Sequence, residues 1–300
     1  MKPRNMLFIM SDEHNPRVLG CGGHPVIKTP NLDKLAAGGV RFTDAYCNSP
    51  ICVPSRASFH TGRYVHEIRY WDNAIAYDGR VPTWGHRLRD AGHRVDSIGK
   101  LHFKSGQNDN GFSTEHVPLH IVDSVGDPLG MLRDPPLPRR AAMKMAGDAK
   151  RGDSSYQDYD QDITTRSVAW LKERAAKPDA KPWCLFVSLV CPHFPLVAPP
   201  EFFALYPPET LPLPALRDAP DHPVLQTLRK TQDYDDHFRD DHHRRVALAA
   251  YYGMVSFLDD NIGRLLATLE STGLAKDTLV IYTSDHGDNL GTRTFWGKSN

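Results

Sequence analysis

The 300-residue sequence lacks a surplus of either charge: 36 basic residues stand against 36 acidic ones. No overall field therefore draws the chain to nucleic acid or to an anionic membrane surface. It also lacks paired cysteine spacings. The five cysteines (Cys21, Cys47, Cys52, Cys184 and Cys191) are odd in number and form no Cys-x-x-Cys, which argues against a disulfide framework or a structural zinc site. Long apolar runs are missing as well. The stretch Met6–Met10 is too short for a secretory signal and runs into Ser-Asp-Glu-His without a small-residue cleavage site. No segment reaches the length of a membrane span. These absences set the expectation of a soluble, cytoplasmic protein with neither nucleic-acid nor membrane partners. Internal repeats and composition breaks are absent too, so residues 1–300 read as one domain.

The sequence is rich, by contrast, in histidine, with 15, and in proline, with 24. Neutral imidazole ligates metals and moves protons near pH 7. Short apolar runs alternate with amphipathic stretches, the pattern of an α/β fold with a mostly parallel central sheet flanked by helices. Strands are expected at Met6–Met10, Arg94–Ile98, Trp183–Val190 and Thr278–Thr283. A helix should open at Thr29, as N-cap, and Pro30, and stop at Gly38 and Gly39. Further helices are expected at Pro82–Ala91, Asp162–Ala176 and Arg244–Leu269. Residues 106–153 and 199–243 read as irregular. The run DYDDHFRDDHHRR, residues 233–245, reads as a charged, solvated segment because no apolar periodicity fixes its side chains.

Open parallel sheets bind ligands beyond the carboxyl ends of their strands. Asp12, Glu13 and His14 follow the first expected strand, Lys100 and His102 the second, His193 the third, and Asp285, His286 and Asp288 the fourth. Any one of these suits a turn or a helix cap; four strands delivering such groups to one edge argue for a site. Asp12, Glu13, Asp285 and His286 are oxygen-rich with one nitrogen, which suits Ca²⁺, Mg²⁺ or Mn²⁺. Arg56, Lys100, His102 and His193 are donors that can surround a multiply charged oxyanion. A cation and a cationic ring around one point describe phosphoryl or sulfuryl transfer. The nucleophile is less plain. In NSPICVPSRASFHTGRY, Asn48–Tyr64, Cys52 precedes Arg56 by four residues with Pro54 between them. That spacing fits a cysteine-phosphatase loop poorly, and a merely buried thiol leaves Pro54, Ser55 and Arg56 unexplained.

Cys52-Val53-Pro54-Ser55-Arg56, with Thr61-Gly62-Arg63 after it, resembles the signature of the sulfatase family in the alkaline phosphatase superfamily. In that family a maturation enzyme reads the Cys-x-Pro-x-Arg core and oxidises the cysteine to Cα-formylglycine, so the resemblance implies that Cys52 is a precursor. Asp12 resembles the family's first metal carboxylate, and Glu13 stands where its second ligand, usually Asp or Gln, is found. GKLHF resembles its Gly-Lys-x-His element and supplies Lys100 and His102; PHFPLVAP supplies His193; SDHGDNLG supplies Asp285 and His286; FWGKSN supplies the late lysine, Lys298. The resemblance thus implies one divalent cation, Ca²⁺ before Mn²⁺ or Mg²⁺, held by Asp12, Glu13, Cys52, Asp285 and His286. It implies Cys52, Arg56, Lys100, His102, His193 and Lys298 as catalytic groups. Asp-His on the last strand and YWDN, Tyr70–Asn73, are similar to choline-sulfatase-like and phosphonate-monoesterase-like members, which makes Asn73 an expected substrate contact. Members of the family continue into more sheet and a smaller C-terminal subdomain, so a longer parent chain is expected.

The implied activity is hydrolysis of a small sulfate ester, with His193 and Lys298 serving the leaving group and His102 taking a proton from position 52. Two other readings stand beside it. One is a phosphonate monoester hydrolase or phosphodiesterase using the same site. The other is an unmodified protein that binds sulfated ligands without turnover. The partners implied are the ester substrate and the maturation enzyme, and homo-oligomerisation is left open.

Overall fold

The apolar run Met6–Met10 forms most of β1 (Asn5–Ser11), since a strand covered by helices on both faces has no polar side to alternate with. The computed structural model describes residues 4–126, 140–219 and 222–298. After β1 come α1 (Pro30–Ala37), α2 (Cys52–Thr61), the single turn α3 (Val65–Ile68), α4 (Trp84–Asp90), β2 (Val95–Lys100) and β3 (Thr114–Leu119). Then follow α5 (Arg140–Asp148), the two-residue β4 (Lys150–Arg151), α6 (Ser155–Ala176), β5 (Cys184–Ser188), β6 (Val197–Ala198) and α7 (Pro200–Phe203). The chain continues through α8 (Pro223–Arg229), α9 (Asp241–Ser271) and β7 (Thr278–Ser284). The central sheet has the order β3-β2-β5-β1-β7, and every pair in it is parallel. The expected α/β architecture is the observed one.

Alternation along each strand sorts the core into two layers. Leu7 and Ile9 of β1 join Leu185 and Val187 of β5 in the layer under α6 and α9. Met10, Cys184 and Phe186 face the other way, against Ala57 of α2 and the rings of Tyr70, Tyr77 and Phe103. Helix α2 is therefore held on the opposite side of the sheet from α9. No helix among the described residues is long and apolar enough to cross a membrane.

The structure departs from the sequence reading at several places. β3 and α5 lie inside residues 106–153, read as irregular; β3 is an edge strand, half polar and carrying Pro118, so it shows no apolar run. α6 starts earlier than expected, at Ser155, where a capping box between Ser154 and Gln157 outweighs its polar first turn. Thr29 precedes α1 but does not cap it: its hydroxyl donates to Asp33 Oδ1 at 3.0 Å. The amides of Asn31 and Leu32 go instead to the Asp259 carboxylate of α9, at 3.0 and 2.8 Å. The 233–245 run is not all solvated. Asp235 is buried and accepts from Arg217, Arg244 and the indole of Trp296. Three donors met at once offset the desolvation of that carboxylate, which no local periodicity reveals.

One glycine fixes how β2 delivers its last residue. Gly99 has φ +105°, and a Cβ there would lie 2.2 Å from the carbonyl oxygen of Ser188 on β5. Gly99→Ala is expected to cost about 2–4 kcal/mol, combining the positive-φ penalty with overpacking. Denaturant titration checks this; an unchanged midpoint would show that β2 and β5 can part without loss.

Candidate active site

The sulfatase-like signature is, physically, one short helix with its start and stop. Ile51 precedes α2 in extended conformation, so Cys52 is the first helical residue. Pro54 sits in the first turn, where a missing N–H costs nothing. Gly62 ends the helix in the left-handed region at φ 66°, its amide returning to Ser58 O at 2.8 Å. Asn73, expected as a substrate contact, has its Oδ1 on the amide of Val53 at 3.0 Å and so caps the helix that carries Cys52.

Cys52 lies at the carboxyl edge of the sheet, buried. Its Sγ is 3.0 Å from Lys298 Nζ, 3.3 Å from His286 Nε2 and 3.6 Å from Asp12 Oδ1. His102 and His193 also interact with this sulfur. Burial and Asp12 would push the thiol up, but Lys298, Lys100 and His286 outweigh them and hold it well below its ordinary range. Groups from α2, β1, β2, the β5 exit loop and the segment after β7 thus converge on one atom.

Arg56, one turn after Cys52, is fully buried and does not face that atom. Its Nε donates to Asp285 Oδ2 at 2.8 Å and its Nη2 to Asp12 Oδ2 at 3.1 Å. Nη1 donates to Lys100 O and to Ser188 Oγ, both at 2.8 Å. It therefore links β1, β2, β5 and the end of β7. Lys100 Nζ lies 2.5 Å from Asp12 Oδ2.

Asp12, Cys52, Asp285 and His286 each offer one ligand atom, and these atoms all lie within 4.8 Å of one another. His286 Nδ1 is 3.2 Å from Gly287 O, an arrangement in which Nδ1 donates and Nε2 keeps its lone pair for the cluster. Burial would lower the His286 pKa, yet Asp285 and the sulfur raise it to about 10. Burial raises Asp285, and the charge of Asp12 adds to it. A ring nitrogen that binds a proton this tightly among crowded carboxylates marks a place suited to a cation. Among the described residues, these four fit a divalent ion.

Glu13 stands differently from its expected place in that ligand set. Its Oε2 is 2.9 Å from Lys298 Nζ and 3.5 Å from His193 Nε2, in a second group with Asp12. That group already holds the Lys298 ammonium, 3.8 Å from Asp12 Oδ1. Glu13 Oε1 is buried with no donor among the described residues, and the adjoining acid is Asp288. Burial pushes Glu13 well up and Asp288 adds to it, against the pull of Lys298. Asp288, which the sequence places after β7 without a role, accepts from Leu290 N at 2.7 Å and Gly297 N at 3.0 Å. It thereby closes the loop that presents Lys298. Trp296, two residues before, is buried against Asp235 and Phe238 and anchors that loop.

A family model described as Sulfatase matches residues 4–300. The chain belongs to the sulfatase family. It is similar to the choline-sulfatase of Rhizobium meliloti (strain 1021), 32% identical over 314 residues that cover 99% of this chain and 60% of that one. It is also similar to the iduronate 2-sulfatase of Homo sapiens, 30% identical over 317 residues covering 98% of this chain and 56% of the relative. Among solved structures, the phosphonate monoester hydrolase of Agrobacterium radiobacter superposes with a TM-score of 0.76 at 26% identity, covering 99% of this chain and 65% of that one. The chain thus spans about 60% of the length of the sulfatase relatives it matches.

Because Arg56 is the shared donor of Asp12 and Asp285, a shorter and non-forked cation cannot replace it. Arg56→Lys is expected to lose about 3–5 kcal/mol, since it leaves a buried carboxylate underpaired. Chemical denaturation tests this; a loss below about 1 kcal/mol would show that the four bonds add little net stability.

Proposed function

We propose that this chain is the catalytic part of a formylglycine-dependent hydrolase acting on a small sulfate ester. The observation that carries the reading is the convergence on Cys52 Sγ of Lys298, His286 and Asp12, backed by His102 and His193. That sulfur marks where the oxygens of a hydrated aldehyde would lie. The aldehyde hydrate would supply a hydroxyl nucleophile and a second hydroxyl for expelling sulfate; Asp12, Asp285, His286 and position 52 would hold a divalent cation, which would supply Lewis acidity toward that hydroxyl and the sulfate oxygens.

The chain's own groups do the rest. Lys100 and Lys298 place two ammonium groups against the pocket's carboxylates, where an arriving sulfate shares them. Burial and Lys298 hold His193 down to about 4, so the ring is neutral before substrate binds. An anionic ester offsets the charge of Lys298, letting His193 hold a proton at Nε2 for the departing alkoxide, with Lys298 beside it. His102, lowered by burial and Lys100, is a neutral base placed to take a proton from position 52. Arg56 orients Asp12 and Asp285 and is a positioning residue.

Maturation has a structural condition. Cys52 is 1% exposed and Arg56 fully buried, so a maturation enzyme must read the Cys-x-Pro-x-Arg segment before α2 packs. The likeness to a choline-sulfatase supports an alkyl sulfate as the substrate class. The structural likeness to a phosphonate monoester hydrolase supports the second reading, since the same groups would serve a phosphonate ester. Comparing sulfate and phosphonate esters of one alcohol separates the two.

Three outcomes are expected. Tandem mass spectrometry of the tryptic peptide FTDAYCNSPICVPSR should place an aldehyde at position 52 and an intact thiol at Cys47. Correspondingly, Cys52→Ala should lower kcat by at least about 10⁴-fold, and undiminished turnover would sink the formylglycine reading. Chelation should lower Tm, and Ca²⁺, Mn²⁺ or Mg²⁺ should restore it by about 3 kcal/mol of stability at 100 times Kd. No shift with any of the three would mean that the four ligands hold no cation.

A further inference from the structure

We infer that Asp160, a buried carboxylate of α6 with no part in the chemistry above, is the positioning residue that sets the leaving-group histidine, His193, against the scissile bond. Both of its oxygens are used at the exit of β5. Oδ1 accepts from Val190 N at 2.7 Å and Oδ2 from Cys191 N at 2.8 Å. The carbonyl of Val190 then accepts His193 N at 3.0 Å, so one turn of backbone separates the carboxylate from the ring it serves. The Cys191 thiol also hydrogen-bonds to Asp160.

The rest of α6 supports the same loop. Tyr156, one helical turn before Asp160, meets the His193 ring edge-on with centroids 5.9 Å apart. Phe194 stacks on the same imidazole at 4.4 Å. Gln157 donates to Val197 O at 2.7 Å, fixing the far end of the loop. One helix therefore holds residues 190–197 at both ends and packs the imidazole between them.

The choice of an acid here needs a reason, because an ionised carboxylate buried without a partner cation is costly. Burial pushes Asp160 up to about 6, against the two amides and the more distant charge of Lys100. Two amides diverging from successive residues require two acceptor atoms on one short side chain. Asparagine offers one, and turns its NH₂ group toward the second amide. A catalytic group misplaced by about 1 Å can lose 10²-fold in rate, so the twin acceptors matter at the ring and not only to the fold.

The inference rests on the proposed role of His193, and the test separates the two. On the full-length, matured enzyme, kcat/KM is measured for a primary alkyl sulfate, whose alkoxide needs a proton to leave, and for 4-nitrophenyl sulfate, whose phenolate does not. Asp160→Asn is expected to slow the alkyl ester about 30-fold or more and the nitrophenyl ester less than about 3-fold. The ratio is taken within one preparation, so the folded fraction cancels; Asp160→Ser is the second variant should the first accumulate too little protein. An equal loss on both esters, or no loss on either, overturns the inference and leaves Asp160 a structural acceptor. His193→Ala is the control. If it shows the selective loss and neither Asp160 variant does, the positioning role fails while the role of His193 stands. If His193→Ala is itself unselective, both fall together.

Discussion

The guanidinium of Arg56 is the contact on which the arrangement turns. Placed one helical turn after Cys52, it reaches Asp12, Asp285, Ser188 and the carbonyl of Lys100 from inside the sheet's carboxyl edge. A planar fork with several fixed donors can satisfy acceptors from four chain segments at once, which a point charge cannot. Its fixed reach makes the position of Cys52 depend on the register of β1, β2, β5 and β7 together. Desolvating one guanidinium and two carboxylates is expensive, and the complete set of hydrogen bonds is what keeps that expense bearable.

Around this anchor the charges are unevenly balanced in a way that suits function. Four acids, Asp12, Glu13, Asp285 and Asp288, are buried close together, and burial drives Glu13, Asp285 and Asp288 upward. Asp12 alone is held down: burial opposes its charge, but Lys100, Lys298 and Arg56 outweigh it. Lys298 reaches both the Glu13 carboxylate and the Cys52 sulfur, at 2.9 and 3.0 Å, and Arg56 pairs with Asp12 and Asp285, so the same few cations are shared across the whole cluster. The ligand atoms of Asp12, Cys52, Asp285 and His286 lie close enough together to suit a divalent ion.

The helices under the sheet work as clamps on the loops that carry these groups. α6 grips the β5 exit through Asp160 and Gln157. α9 holds the β1 exit through Tyr251, whose hydroxyl accepts from Asn15 N and donates to Glu13 O. It also caps α1 through Asp259. Loops made irregular by proline and glycine gain a defined shape only through such contacts, which explains why so much polar structure is buried in the helix–loop layer.

The sequence by itself determined the class of fold. Continuous apolar runs are legible as buried parallel strands because both faces are covered, and the residues just past their ends are legible as neighbours because parallel strands all finish at one edge. Pro54 and Gly62 stand at the two ends of α2, a helix absent from the sequence expectations. Tertiary structure decided everything that depends on partners distant in the chain. β3 was illegible because an edge strand alternates weakly; Asp235 because its three donors come from 18, 9 and 61 residues away. The inward role of Arg56, the helix-capping bond of Asn73, the pairing of Glu13 with Lys298 and the grip of Asp160 share that character. Each is a hydrogen bond whose value comes from burial, and burial is a property of the packed chain, not of the order of its residues.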